Sequence, residues 1–254
     1  MIKFDFGNCI VAVTGAARGI GSAIAHSFLK SGAHVIALDR DSTSLNLARK
    51  QFATAGQAIE TMVADVGDES SVQDAFAAID RTHGRLDVLV NNAGIAIRRQ
   101  TIDLTLEEWE AVLRVNLTGT FLCAKYAGPL LFKKSGSSVV NIASIMGLSG
   151  GGLYPNPSYH ASKGAIVNFT RALAVEWATR GVRVNAVAPT WVRTDLTHAL
   201  TENPELMTRI RSMTPLGRVA EPEEVAAAVL YLASSSAAMI TGHILPVDGG
   251  FLAQ

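Results

Sequence analysis

Ile10-Val11-Ala12-Val13-Thr14-Gly15-Ala16-Ala17-Arg18-Gly19-Ile20-Gly21 opens on an apolar run, passes through three glycines and leads into a helical stretch near 19–31. Glycines at a strand-to-helix turn let the backbone approach a pyrophosphate closely. The helix that follows offers unpaired N–H groups and the positive end of its dipole. The spacing Gly15-x3-Gly19-x-Gly21 differs from the common dinucleotide fingerprint Gly-x-Gly-x2-Gly, and the Gly-Lys-Ser/Thr ending of a triphosphate loop is missing. Gly15, Arg18, Gly19, Ile20 and Gly21 are therefore candidate cofactor contacts. The competing reading is a tight turn chosen for packing alone.

Outward from this turn, short apolar runs alternate with longer amphipathic ones. Strands are predicted at Ile10–Thr14, His34–Asp39, Thr61–Asp65, Leu86–Asn91, Ser138–Ala143, Val182–Ala188 and Ile244–Val247. They are apolar on both faces, as strands between two helical layers should be. Helices are predicted near 19–31, 43–55, 68–82, 106–133, 158–180 and 222–235. This alternation implies an α/β chain, a single doubly wound Rossmann domain over residues 1–254 with a seven-stranded parallel sheet and helices on both faces. Residues 190–215 break the rhythm with polar, poorly periodic sequence, read as a substrate lid or a disordered loop.

The second strand ends in Asp39. A carboxylate there can accept hydrogen bonds from adenosine ribose hydroxyls and would repel a 2′-phosphate, which favours NAD. Arg18 and Arg40 keep NADP open, because either could lie near a 2′-phosphate. The helix predicted at 158–180 carries Tyr159 and Lys163 four residues apart, on one face. Ala161, Ala165, Phe169, Leu173 and Trp177 form a packing stripe on the opposite face, and His160, about 100° from Tyr159, is assigned to packing or surface. A free tyrosine titrates near 10, so a base useful at neutral pH needs a depression of about three units, roughly 4 kcal/mol. One ammonium about 4 Å away supplies on the order of 4 kcal/mol at an effective dielectric near 20. Ser144 ends the fifth strand run, at the carboxyl edge of the sheet, where its hydroxyl can meet a substrate oxygen. Asn116 lies inside a long apolar helix and is structural or catalytic.

Composition narrows the partners. Lys plus Arg and Asp plus Glu each total 22 in 254 residues, so no basic excess exists to neutralise a nucleic-acid backbone. The expected partner is a small-molecule substrate, with no nucleic acid and no membrane. No apolar stretch approaches the roughly 18 residues of a membrane span, and the run Cys9–Val13 is too short for a signal peptide. Cys9 and Cys123 lack metal-ligand spacing and read as small core residues suited to a reducing, cytoplasmic compartment. The six histidines are scattered without paired ligand spacing, so no metal site is expected.

Taken together, Thr14–Gly21, Asn91-Asn92-Ala93-Gly94, Asn116, Ser144, Tyr159-x3-Lys163 and Asp248-Gly249-Gly250 resemble the short-chain dehydrogenases/reductases, over essentially Cys9 to Phe251. The whole chain looks most like the bacterial NAD-linked polyol and sugar dehydrogenases of that family. The resemblance implies that Tyr159 is the acid/base and that Lys163 lowers its pKa and binds the nicotinamide ribose. It implies that Ser144 orients the substrate carbonyl, and that Asn116 holds a water relaying protons to Lys163. Asp65 and Val66 would contact adenine, Asn92, Ala93 and Gly94 would line the cofactor, and Pro189, Val192 and Thr194 would lie on the nicotinamide side. A homotetramer paired through helices 106–133 and 158–180 is also implied. Two departures stand out: Thr190 follows Pro189 where the family often has glycine, and the loop Ile145–Ser158 is slightly long. Arg98 and Arg99 read as a solvated surface pair, with contact to an anionic substrate as the alternative. The expected activity is NAD-linked hydride transfer between a secondary alcohol and a ketone, in a polyol, sugar or hydroxy acid. The alternatives are an NADPH-dependent 3-oxoacyl carrier-protein reductase or general ketone reductase, and a non-catalytic NAD sensor.

Overall fold

The structure, a computed structural model, describes residues 4–54 and 58–254. In chain order the elements are β1 (Ile10–Thr14), α1 (Gly19–Lys30), β2 (His34–Asp39), α2 (Ser42–Thr54), β3 (Glu60–Val63), α3 (Glu69–His83) and β4 (Val88–Asn91). They continue with α4 (Leu106–Leu113), α5 (Gly119–Leu131), β5 (Ser138–Ile142), α6 (Pro157–Trp177) and β6 (Arg183–Pro189). The last are α7 (His198–Thr201), α8 (Pro204–Met213), α9 (Pro222–Ala233) and β7 (Ile244–Val247). The strands form one seven-stranded sheet in the order β3-β2-β1-β4-β5-β6-β7, and every pairing is parallel. This is the doubly wound α/β fold expected from the sequence.

Side-chain alternation explains why helices cover both faces. Val11, Val13, Val35, Ala37, Val88 and Val90 share one buried cluster with Ile24, Phe28, Val225 and Val229 of α1 and α9. Their neighbours Ala12, Ile36, Leu38 and Leu89 share the other, with Phe76 and Ile79 of α3, Ala127 of α5 and Leu173 of α6. A strand buried on both sides has no polar face to lose.

Element ends differ from the expectation where a backbone group finds another partner. β3 runs from Glu60 to Val63 and not to Asp65, because the Asp65 N–H donates to the Ser71 hydroxyl at 3.0 Å. Leu86 lies outside β4, its N–H directed at the Leu130 carbonyl of α5. β6 runs one residue later at each end than predicted. Of the helix predicted at 43–55, residue 55 lies outside the described residues. The stretch 106–133 is not a uniform α-helix: α4 and α5 are joined by a π-helical turn over Arg114–Thr118. The packing stripe on α6 is also different. Of the predicted stripe, Leu173 and Trp177 are buried but Ala161 is exposed, and Ser158, Ser162, Lys163, Ile166, Val167, Thr170 and Ala174 complete the buried face.

Residues 190–215 are not an unstructured loop. They hold a 3-10 turn at Asp195–Thr197 and the helices α7 and α8. Asn203 caps α8 by accepting from the N–H groups of Glu205 and Leu206, and Pro204 starts it. Trp191, Leu200 and Ile210 anchor the segment in a small core with Ile145, Leu153, Val219 and Phe251. Among the described residues, no helix is long and apolar enough to cross a membrane.

Candidate active site

A cleft of about 560 Å³ opens at the carboxyl edge of the sheet, beside the ends of β1, β2 and β4. Its floor is the glycine turn. Gly15 and Gly19 have φ of 62° and 57°, a region that residues with a Cβ rarely adopt. A Cβ on Gly21 would lie 2.1 Å from the Gly15 carbonyl oxygen, so the first turn of α1 can close on the loop only without one. α1 then starts without a side-chain cap and without an acidic residue in its first turn. By contrast α3 and α4 are capped by Asp68 and Thr105 and carry Glu69, or Glu107 and Glu108, in that position. The start of α1 is therefore suited to an external anion.

A clasp fixes this turn against β4. The Thr14 hydroxyl accepts from the N–H groups of Asn92 at 3.0 Å and Ala93 at 3.1 Å. In return the Asn92 side-chain amide donates to the carbonyls of Thr14 and Gly15 at 2.9 and 3.0 Å. At the end of β2, Asp39 accepts from the N–H of Ala17 at 3.2 Å and of Asp41 at 3.1 Å, which aims its carboxylate into the cleft wall. Asp65 is held by the Gly67 N–H at 2.8 Å, and Val66 packs against Gly119 of α5, where a Cβ would come within 2.8 Å. Gly15, Arg18, Gly19, Ile20, Gly21, Asp39, Asp65, Val66, Asn92, Ala93, Gly94, Tyr159, Lys163 and Thr194 all line the cleft, as does Arg40. Pro189 and Val192 do not. Both are buried, and the Val192 carbonyl accepts from the Thr197 hydroxyl.

Tyr159, Lys163 and Ser144 converge at the inner end. Ser144 follows β5, caps the turn Ile145–Gly147 through the Met146 N–H at 3.1 Å, and is hydrogen-bonded to the Tyr159 hydroxyl. Gly147 makes this convergence possible, since a Cβ there would lie 2.6 Å from the Lys163 backbone. The Lys163 ammonium donates to the Ile142 carbonyl at 2.6 Å and lies 5.6 Å from the Tyr159 ring centroid.

Burial dominates the acid–base balance. It pushes the Tyr159 phenol above its ordinary value, against the Ser144 hydrogen bond that favours the phenolate. It also pulls the Lys163 ammonium down to about 8. The simple expectation of a tyrosine depressed by a neighbouring ammonium is thus not met by these side chains alone. Desolvation acts on both groups and disfavours both charges.

Asn116 sits in the π-helical turn and does not line the cleft. Its carboxamide oxygen accepts from the Ile95 N–H at 2.8 Å, and its nitrogen donates to the Ile95 carbonyl and the Ser162 hydroxyl at 3.0 Å each. It pins the segment after Gly94 to α6, one residue before Lys163.

A second cavity of about 70 Å³ adjoins the cleft across Ala96, Tyr159 and Leu196. Sequence reasoning missed part of its wall. Arg98 is half-buried and not free in solvent: its guanidinium lies 4.9 Å from the Tyr154 ring centroid and donates to the Leu196 carbonyl at 3.1 Å. Arg99 is exposed and pairs with Glu108 at 3.4 Å. His160 reaches the same cavity, its ring held by the Asn156 carbonyl at 2.8 Å, because Asn156 directly precedes α6. Two further surprises lie elsewhere. Asn91, Asn141 and Thr170 form a buried hydrogen-bond chain across β4, β5 and α6, at 2.9 Å per link. His34, Glu60 and His83, scattered in sequence, meet in space. No local spacing reports such contacts, which depend on sheet order. Cys123 is buried, its thiol pushed up to about 12 by burial, whereas Cys9 is only partly covered.

Comparison with known proteins agrees with this geometry. A family profile described as enoyl-(acyl carrier protein) reductase matches residues 15–252. The chain is 41% identical over 248 residues to galactitol 2-dehydrogenase (L-tagatose-forming) of Cereibacter sphaeroides, covering 98% of this chain and 96% of that protein. It is 38% identical over 252 residues to D-threitol dehydrogenase of Mycolicibacterium smegmatis, again covering 98% and 96%. Among solved structures, a gluconate 5-dehydrogenase from Burkholderia cenocepacia in complex with NADP and tartrate superposes with a TM-score of 0.93. That protein is 29% identical, and the match covers 99% of this chain and 98% of that one.

The buried Lys163 gives a stability prediction. Its folded pKa of about 8 lies below the ordinary lysine value of 10.5, so holding the charged form costs about 3 kcal/mol at pH 7. The cost is full below about pH 8 and fades between there and the unfolded value. Lys163→Met is expected to raise the thermal midpoint at pH 7, with the gain shrinking above pH 8. A melting series over pH checks this, and a lower midpoint at pH 7 would count against it.

Proposed function

The chain belongs to the short-chain dehydrogenase/reductase family, and we propose that it is an NAD-linked dehydrogenase of a polyol, sugar or hydroxy acid. The observation that carries the substrate class is the wall of the smaller cavity. Arg98 Nε, Asn156 Oδ1 and Thr190 Oγ1 are buried there without a hydrogen-bond partner among the described residues. Buried unpaired polar groups are costly, and a ligand with several hydroxyls, which both donate and accept, would suit all three, whereas a carboxylate could accept only from Arg98 and Thr190. An aliphatic acyl chain would leave them unpaired. The galactitol, threitol and gluconate dehydrogenases among the relatives support the same class.

A nicotinamide dinucleotide bound in the larger cleft would supply or accept the hydride. The residues present fit it: glycines where a Cβ would collide, an uncapped helix start for the pyrophosphate, and Asp39 for the adenosine ribose. Tyr159 gives or takes the proton at its hydroxyl, and Ser144, hydrogen-bonded to that hydroxyl, orients the substrate oxygen. Lys163, anchored on Ile142, holds a positive charge close to Tyr159. Asn116 positions the segment after Gly94 and, through Ser162, the start of α6. The helices of 190–215 act as a lid, with Leu196 shared by both cavities.

Asp39 supports NAD, since its carboxylate would repel a 2′-phosphate. A second reading, an NADPH-dependent 3-oxoacyl carrier-protein or ketone reductase, keeps its footing in Arg18 and Arg40, both in the cleft lining. Steady-state kinetics with both cofactors against polyols, sugar acids, ketones and 3-oxoacyl thioesters decide between them. Turnover of a polyol or sugar acid with NAD is expected, and Tyr159→Phe should lower kcat on the order of 10²- to 10⁴-fold. Turnover of ketones or thioesters only, with NADPH, would replace this reading by the second.

A homotetramer is part of the proposal. Leu106 and Phe121 on the continuous helical stretch of α4 and α5, and Val175 on α6, are exposed, at 66%, 46% and 79%. Light scattering on the eluting protein is expected to give four chains per particle, and a monomer would refute it.

A further inference from the structure

The opposite edge of the sheet carries a cluster that plays no part in the reaction proposed above. His34 is the first residue of β2, Glu60 the first of β3 and His83 the last of α3. Their meeting follows from register. Glu60 pairs with Ile36, and His34 lies two residues before Ile36, so all three side chains share one face of the sheet. That face is covered by α3, whose Phe76 and Ile79 pack with Ile36 in one core cluster. α3 ends on Gly84 with φ of 69°, which places His83 over the strand ends.

The donor atoms are already gathered. His34 Nε2 and His83 Nε2 each lie 2.9 Å from the same Glu60 oxygen, and the ring centroids are 4.7 Å apart. All three ligand atoms fall within 4.8 Å of one another. Two imidazole nitrogens and one carboxylate oxygen, with solvent free to supply a fourth ligand at the half-exposed His34, make a donor set suited to zinc-type ions. A purely hydrogen-bonded trio would also be stable, but it needs both imidazoles to donate to a single oxygen. One cation among the three donors would instead satisfy them all at once.

We propose that His34, Glu60 and His83 bind one divalent transition-metal ion, zinc by donor chemistry. The ion would clip the outer strands β2 and β3 to the end of α3, far along the sheet from Tyr159. Its role is structural: it joins residues 26 and 23 positions apart in sequence, and so opposes local opening of the sheet edge.

Titration calorimetry of the chelator-treated full chain with zinc chloride tests this, together with melting curves with and without zinc. Saturable binding of one zinc per chain and a raised thermal midpoint are expected. Cobalt(II) should show the visible spectrum of a site with nitrogen and oxygen ligands. Glu60→Gln and His83→Gln should each weaken zinc binding at least tenfold and abolish the midpoint shift. His34→Gln, at a side chain 47% exposed, guards against misfolding as the cause and should do the same with an unchanged zinc-free melt. Absence of a one-per-chain site, or zinc binding unchanged in all three variants, would overturn the proposal. Because binding is read without substrate or dinucleotide, failure here leaves the proposed dehydrogenase activity untouched.

Discussion

The Thr14 hydroxyl is the constraint on which the functional edge of the sheet depends. It takes two backbone N–H groups from the turn after β4, while Asn92 returns two hydrogen bonds to the carbonyls at the end of β1. Removing either partner would leave part-buried backbone groups unpaired, at no more than about 1–3 kcal/mol each. The clasp joins the two strands between which the winding direction reverses, since β1 leads to β2 and β3 on one side and to β4 on the other. Ligands of open α/β sheets bind at such a switch point. Here the clasp also sets how closely the glycine turn and Ala93 approach, which a Cβ on Gly15 would prevent at 2.8 Å.

Beside that cleft the chain sustains an electrostatic tension. Lys163 is buried and donates to Ile142, and burial disfavours both its charge and the phenolate of Tyr159. A folded chain would be more stable with a thioether in place of the ammonium. The surrounding hydrogen bonds serve to hold it. The π-helical turn presents Asn116 to Ile95 and Ser162, and the chain Asn91–Asn141–Thr170 fixes α6 against the middle of the sheet. Polar groups inside a core favour one arrangement when nearly all are paired.

Much of this was legible in the sequence. Strand and helix alternation with strands apolar on both faces gave the sheet, because each strand must bury both sides. The glycine turn, Asp39, Ser144 and the Tyr159–Lys163 pair were legible because each is a local pattern: a turn, a strand end, one helix face. Arg98 was misplaced because its fate depends on Tyr154 and Leu196, 56 and 98 residues away. For His160, assigned to packing or surface, helical geometry gives the angle from Tyr159 but not the cavity that it lines with Asn156. The meeting of His34, Glu60 and His83 needs the register of β2 with β3, which no spacing along the chain encodes. The segment 190–215 was read as irregular because α7 and α8 are short and their small core comes mostly from residues outside them.

The most direct measurement is NAD binding to Thr14→Val, an isosteric change that removes the clasp hydroxyl and nothing else. Calorimetric titration should show affinity weakened on the order of tenfold or more, while far-UV circular dichroism and a cooperative melt show the sheet intact. An intact variant that binds NAD as tightly as the parent chain would contradict the claim that this clasp holds the cofactor cleft.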